Sequence, residues 1–228
     1  MNIFFIRHGN PNYDTDCLTP LGHEQAEACA ERMLNQEIKI DDAYSSPYGR
    51  AKETCEHFTK KANIDYTVLP WLHEVEHYAD VYGGHFSHAV SIDPAFLRDP
   101  EIEAMGDKMF THPRFGGEEN IKKMVGEVYD GLDALLKEYG YEKEGHRFKV
   151  TDREKCDKNV AIYAHAGTFL LVLGYLLQMP DTWAWHSFFT YQTGVTWINL
   201  PTDRDYAVPR MYYMGDTSHL VKKGIAVT

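Results

Sequence analysis

Arg7, His8, Arg50, Glu74 and His165 each fall where an apolar or regular segment of the chain stops. Two arginines, two histidines and a glutamate suit phosphoryl transfer, which needs positive donors on the phosphoryl oxygens, a nucleophile in line and a proton for the leaving oxygen. Arginine supplies a planar fork that matches phosphate, and neutral histidine supplies a nucleophilic nitrogen. Gly9 lets the chain turn sharply and a ligand approach the backbone. Taken one at a time, each residue also has a plain structural reading: Arg7 and Arg50 as surface charges, His8 as a hydrogen-bonded core histidine. Arg50 adds a constraint, because a cation in the first turn of a helix opposes the macrodipole and calls for an anion nearby.

Delivering these residues to one place requires a sheet. Ile3-Phe4-Phe5-Ile6 reads as a strand buried on both faces, and open α/β sheets bind ligands beyond the carboxyl ends of their strands. Thr19 and Pro20 open a helix to about Asn35; Ala43 and Tyr44 lie in a strand that ends at Ser45-Ser46-Pro47; a helix over 48–62 carries Arg50; residues 65–69 form a third strand. From Glu74 to about Gly117 the periodicity is lost, and residues 75–117 are expected to be an insertion covering the active-site cleft. Ile121, Val125, Val128, Leu132, Leu135 and Leu136 predict an amphipathic helix over 118–139 with Gly140 as its cap. Residues 142–158 read as an exposed connection. Val160 to Ala164 is a second buried strand ending at His165, followed by a helix over 168–178, strands at 195–200 and 210–214, and a tail from Asp216 without a recognisable element. This order predicts one α/β domain over 1–228, a three-layer α/β/α sandwich with a mostly parallel central sheet.

The 228 residues are 43% hydrophobic and 25% charged, an ordinary globular composition, with a net charge of -11. That charge argues against a chain whose business is nucleic acid or anionic membrane. Cys17, Cys29, Cys55 and Cys156 form no CxxC pair, so neither a disulfide framework nor a cysteine zinc knuckle is expected. The longest apolar stretch, 169–177, is far too short to span a membrane, and no leader pattern precedes the first strand; a cytoplasmic protein is expected.

In order and spacing, Arg7-His8-Gly9, Leu18-Thr19 with Gly22 and Gln25-Ala26, Ser45-Ser46-Pro47 with Arg50-Ala51 and Thr54, Leu72-x-Glu74 and Ala164-His165-Ala166-Gly167 resemble the histidine phosphatase superfamily, which includes the cofactor-dependent phosphoglycerate mutases. The resemblance implies that His8 is the nucleophile and becomes a phosphohistidine. It implies that Arg7, Arg50 and His165 bind the phosphoryl oxygens, with Asn10, Ala166, Thr168 or the backbone N–H groups after His165 contributing to the substrate site. Glu74 would be the acid and then the base, with Glu76 as the other candidate. Three departures stand out: Asn10 replaces the usual Glu or Gln, Ala166 separates His165 from the next glycine, and the acid block lacks its following glycine. The expected activity is hydrolysis of a small phosphorylated metabolite without metal or cofactor; self-association into a homodimer is a further expectation. Phosphoryl transfer of the mutase type uses the same site but requires a closed, basic lid, for which Arg98, Lys108 and Arg114 are the available residues.

Two rivals come from other classes. His73-Glu74-Val75-Glu76-His77 is a literal H-E-x-x-H, which on a helix would hold zinc with Glu74 as base. A non-catalytic binder of a phosphorylated ligand or protein would keep the fold but lose one of the reactive residues, and none is missing. Tyr78, Tyr82, Phe86, Phe96, Phe110 and Phe115 fit either a pocket lining or a local core, while Trp183, Trp185 and His186 fit a rim or simple packing.

Overall fold

The computed structural model describes residues 1–115 and 118–228; the last two positions of the expected insertion lie outside the described residues. Strand β1 (Asn2–Arg7) occupies the interior of a six-stranded sheet. Phe4 and Ile6 join Cys29, Ala30 and Met33 of helix α1 (Pro20–Asn35) and Cys55 and Phe58 of helix α2 (Gly49–Ala62) in one buried cluster. Ile3 and Phe5 alternate to the opposite face and are equally buried. Neither face of β1 is wet, so its sequence is a continuous apolar run.

The other strands are β2 (Asp42–Ser45), β3 (Tyr66–Val68), β4 (Asn159–Ala164), β5 (Val195–Asn199) and β6 (Arg210–Asp216), and the sheet order is β6-β5-β1-β4-β2-β3. β1 with β4, β4 with β2 and β2 with β3 are parallel; β5 and β6 add antiparallel pairings at one side. Helices α1, α2 and α6 (Ser218–Lys223) belong with this mostly parallel sheet in a mixed α/β fold, as the sequence predicts; the remaining longer helices are α3 (Glu118–Glu138), α4 (Ala166–Leu177) and α5 (Asp181–Ser187). Helix α1 starts where expected because the Thr19 hydroxyl accepts the Gly22 N–H at 3.1 Å and Pro20 takes the first helical position.

The chain divides into two compact units. The first comprises Met1–His73, Asp133–Ala166 and Thr190–Thr228; the second comprises Glu74–Leu132 and Gly167–Phe189. Within the second, the region around 74–115 is not patternless. Tyr78–Asp80 pairs with Phe86–His88, and two helical turns, Pro94–Leu97 and Pro100–Met105, each start from an aspartate cap followed by proline. Phe110 packs on Phe115 at 5.3 Å and on Trp185 at 5.6 Å, so these three rings are core, whereas Tyr78, Tyr82 and Phe86 are exposed. Among the described residues, no helix is long and apolar enough to cross a membrane.

Three expectations need correction. Residues 142–158 are not a bare connection: Tyr141–Glu144 and Arg147–Val150 form a hairpin to which Tyr206–Ala207 adds a third strand, followed by a helical turn at Arg153–Cys156. In these three strands only Tyr141, Phe148 and Ala207 are buried, too few apolar positions to show an alternation. The tail contains α6, whose six residues are too short for a helical period to register. Helix α4 begins at Ala166 rather than Thr168, directly after the histidine it follows.

Candidate active site

β1 and β4 run in register, Arg7 opposite Ala164, so the residues that leave both strands at the same edge are His8 and His165. Their ring centroids lie 5.2 Å apart with planes at 60°, and the His8 N–H donates to the Ala164 carbonyl at 3.0 Å. His8 is 2% exposed and its Nδ1 lies 2.7 Å from the Gly9 carbonyl oxygen. A carbonyl only accepts, so Nδ1 carries the proton and Nε2 of the neutral ring keeps its lone pair. Burial is the main cause that pushes the His8 pKa down to about 3; the Gly9 hydrogen bond opposes it, Arg7 and Arg50 reinforce it, and Asp16 opposes it.

The loop after His8 is held by backbone approaches that tolerate no side chain. Gly9 donates its N–H to Thr54 Oγ1 at 3.0 Å, and a Cβ on Gly9 would lie 2.6 Å from the Gly22 carbonyl oxygen. Asn10 donates its N–H to Gln25 Oε1 at 2.8 Å and accepts from the Thr19 hydroxyl at 2.8 Å on its own Oδ1, while its Nδ2 donates to Thr228 Oγ1 at 3.3 Å. Both ends of the Asn10 amide therefore meet protein groups. Arg7 donates from Nη1 to the Thr190 carbonyl at 2.6 Å. Its own carbonyl accepts the Thr193 N–H at 3.0 Å, from a β-branched residue held at φ +55°.

Arg50, in the first turn of α2, is 7% exposed, and its Nη1 donates to Asp16 Oδ1 at 2.5 Å. The other Asp16 oxygen accepts the Gly49 N–H at 2.6 Å. The anion that a cation at this helix start requires is thus a side chain of the protein, and sequence reasoning did not single it out. The guanidinium also lies 4.7 Å from the Tyr48 ring centre. Among the described residues, Arg50 Nε is buried without a hydrogen-bond partner.

His165 is fully buried, with Nε2 at 2.7 Å from Ser46 Oγ and Nδ1 buried without a partner among the described residues. Burial first, then the charges of His8, Arg50, Arg7 and His73, hold its pKa well below the usual histidine range. Ala166 follows at the first position of α4. Arg7, His8, Arg50 and His165 are therefore brought together in the first unit, around two buried nitrogens, Arg50 Nε and His165 Nδ1, that no group among the described residues satisfies.

Glu74 belongs to the second unit, where its Oε1 accepts the N–H groups of Val75 at 2.8 Å and Thr168 at 3.2 Å; Glu76 is exposed. Residues 74–77 are not helical, so the H-E-x-x-H run lacks the shared helix face that zinc binding through His73 and His77 requires, and His77 Nε2 donates to the Phe115 carbonyl. Among the described residues, no three His, Cys, Asp or Glu side chains are grouped to hold a metal. Arg98 lies over the exposed Trp183 ring at 3.9 Å and Arg114 over Phe96 at 4.3 Å, both within the second unit.

Both the sequence and the fold have counterparts among known proteins. Residues 3–210 match the model of the histidine phosphatase superfamily, branch 1, and the chain belongs to that family. It is 27% identical over 229 residues to the mitochondrial serine/threonine-protein phosphatase Pgam5 of Caenorhabditis elegans, a match that covers 100% of this chain and 66% of that protein. The chain thus spans less than two thirds of this relative. The fold is shared with phosphoserine phosphatase of Entamoeba histolytica, solved with 3-phosphoglyceric acid, at a TM-score of 0.64 and 19% identity over 96% of this chain and 98% of that one. It is also shared with a mycobacterial glucosyl-3-phosphoglycerate phosphatase, at a TM-score of 0.60 and 19% identity over 94% and 98%.

Proposed function

We propose that the protein is a phosphomonoester hydrolase that works through a phosphohistidine on His8. The observation that carries this reading is the His8 ring: buried, neutral, and fixed by Gly9 so that Nε2 presents a lone pair beside Arg7, Arg50 and His165. In the first step Nε2 attacks phosphorus, the ester P–O bond breaks, and Glu74 donates a proton to the leaving oxygen. In the second step Glu74 takes a proton from water, the water oxygen attacks phosphorus, and the P–N bond breaks to release phosphate. Arg7, Arg50 and His165 bear on the charge that the phosphoryl oxygens carry through both steps. The choice of Glu74 rests on the Leu72-x-Glu74 block of the sequence, and the family and the named activities of its relatives support the reaction class.

Hydrolysis is preferred to mutase transfer because Arg98 is already engaged by Glu103, Ser187 and Trp183. The substrate is expected among small phosphomonoesters, and phosphoserine, phosphoglycerates and a phosphoseryl peptide are the first compounds to screen. Four cysteines that form no disulfide support a reducing, cytoplasmic location, which fractionation of cells expressing the tagged chain tests. The decisive experiment is release of phosphate from an aryl phosphate in chelator, beside a mutase assay. His8→Ala is expected to lose both turnover and a base-stable, acid-labile phosphoenzyme; turnover that persists in that variant would falsify the mechanism.

A further inference from the structure

Ser46 lies at the carboxyl end of β2, one residue beyond the strand, and is 0% exposed. Its backbone N–H donates to the Tyr163 carbonyl at 2.9 Å, which fixes the residue against β4. Its hydroxyl oxygen meets two groups among the described residues, the Tyr48 N–H at 3.3 Å and His165 Nε2 at 2.7 Å. The amide can only donate. The hydroxyl proton therefore has one acceptor, the imidazole nitrogen, and His165 must present a lone pair at Nε2 to receive it.

A neutral imidazole carries one proton. With Nε2 accepting from Ser46, that proton sits on Nδ1, the buried nitrogen that no group among the described residues meets. Burial and the nearby Arg7, Arg50 and His8 keep the ring neutral, so the tautomer is not erased by a second proton. We propose that Ser46 is a positioning residue that locks His165 in its Nδ1–H tautomer, so that a donor rather than a lone pair faces an acceptor oxygen of the bound phosphoryl group. The lone pair of the opposite tautomer would repel that oxygen, and a ring free to interconvert would meet substrate in the wrong state part of the time. The proposal rests on the phosphohydrolase reading for its consequence, but the tautomer itself does not.

The test separates the two. Nitrogen-15 spectra of the histidine-labelled protein, assigned with His165→Gln, are expected to show His165 protonated at Nδ1 in the wild type and an Nε2–H or exchanging ring in Ser46→Ala. This arm needs no turnover, so it stands even if the protein hydrolyses nothing. In the kinetic arm, Ser46→Ala is expected to lower kcat/KM for the aryl phosphate by about 10- to 100-fold and to weaken inhibition by vanadate by a similar factor, as removal of the partner behind a functional histidine usually does. Ser46→Thr, which keeps the hydroxyl, is expected to recover most of both. An Nε2–H wild-type tautomer overturns the proposal. So does a folded Ser46→Ala protein that keeps both the Nδ1–H signal and the wild-type rate, or a Ser46→Thr protein with the hydroxyl in place that behaves like Ser46→Ala.

Discussion

His8 and His165 leave parallel neighbouring strands at the same level, are both buried, and are both driven toward the neutral form by the same surroundings. They differ in what holds the ring. His8 is held through Nδ1 by the carbonyl of its own neighbour, Gly9, at 2.7 Å, whereas His165 is held through Nε2 by a hydroxyl from another strand end at 2.7 Å. A carbonyl dictates a tautomer by itself because it has no proton to give. A hydroxyl dictates one only when its own proton has nowhere else to go. The two rings therefore differ in the nitrogen left open, a lone pair on His8 and, in the proposed tautomer, an N–H on His165, a division that suits the proposed in-line transfer of a phosphoryl group.

The largest test of this division removes the lone pair. His8→Ala is expected to lower turnover by at least about 10⁴-fold, as loss of a nucleophile generally does, read by phosphate release and by phosphoenzyme trapping. Arg50→Lys keeps a charge but not the fork, and is expected to cost on the order of 10² to 10³-fold in kcat/KM with little change in the unfolding midpoint. Glu74→Gln is expected to slow alkyl phosphates by about 10²-fold and an aryl phosphate with a good leaving group much less; equal losses on both would remove Glu74 from the acid role. If Glu76→Gln reproduces that split instead, the acid is Glu76.

The comparison also predicts a pH response. His8 has an ordinary pKa of 6.5 and a folded one of about 3, so keeping it neutral contributes stability that is complete above 6.5 and is lost as pH falls toward 3. His165 has the same sign. Unfolding free energies from urea titrations are expected to decline between pH 6.5 and 4, by at most about 1.4 kcal/mol per pH unit for each such histidine. His8→Gln should make that decline shallower; an unchanged slope would mean that His8 does not stay neutral in the fold. The smallest effect concerns the backbone behind Arg7. Thr193→Gly relieves a β-branched residue at φ +55° but drops the 3.1 Å contact from Oγ1 to His219 Nε2, so the unfolding free energy should move by no more than about 1 kcal/mol in either direction.

Much of this was legible in the sequence because the residues concerned carry their reasons locally. Ile3 to Ile6 announce a doubly buried strand, Thr19 and Pro20 announce a helix start, and Arg7 closing a strand, His8 and His165 just beyond one, and Arg50 opening a helix are each placed by the regular segment they adjoin. Arg50 even posted a demand for an anion. What remained hidden is what depends on partners distant in the chain. Asp16 meets that demand from an irregular loop in which it looks like any solvated aspartate, held at φ +52°. The hairpin at 141–150 needs Tyr206–Ala207 as its neighbour, and Thr193 needs the carbonyls of Arg7 and His8 to account for its backbone. Ser46 was visible as part of a strand-end block, but its bond to His165 was not, since a hydroxyl has no periodicity to read.

Three glycines set a limit of another kind on how this chain can vary. A methyl group on Gly9 would come within 2.6 Å of the Gly22 carbonyl oxygen, one on Gly22 within 2.2 Å of the Asn10 oxygen, and one on Gly49 within 2.1 Å of the Asp16 oxygen. In each case the obstacle is main chain, which no neighbouring substitution can trim away. For recombination or random mutagenesis these positions are fixed points: the library can rewrite the side chains around His8 and Arg50, but the spaces that let their loops close have to be inherited empty.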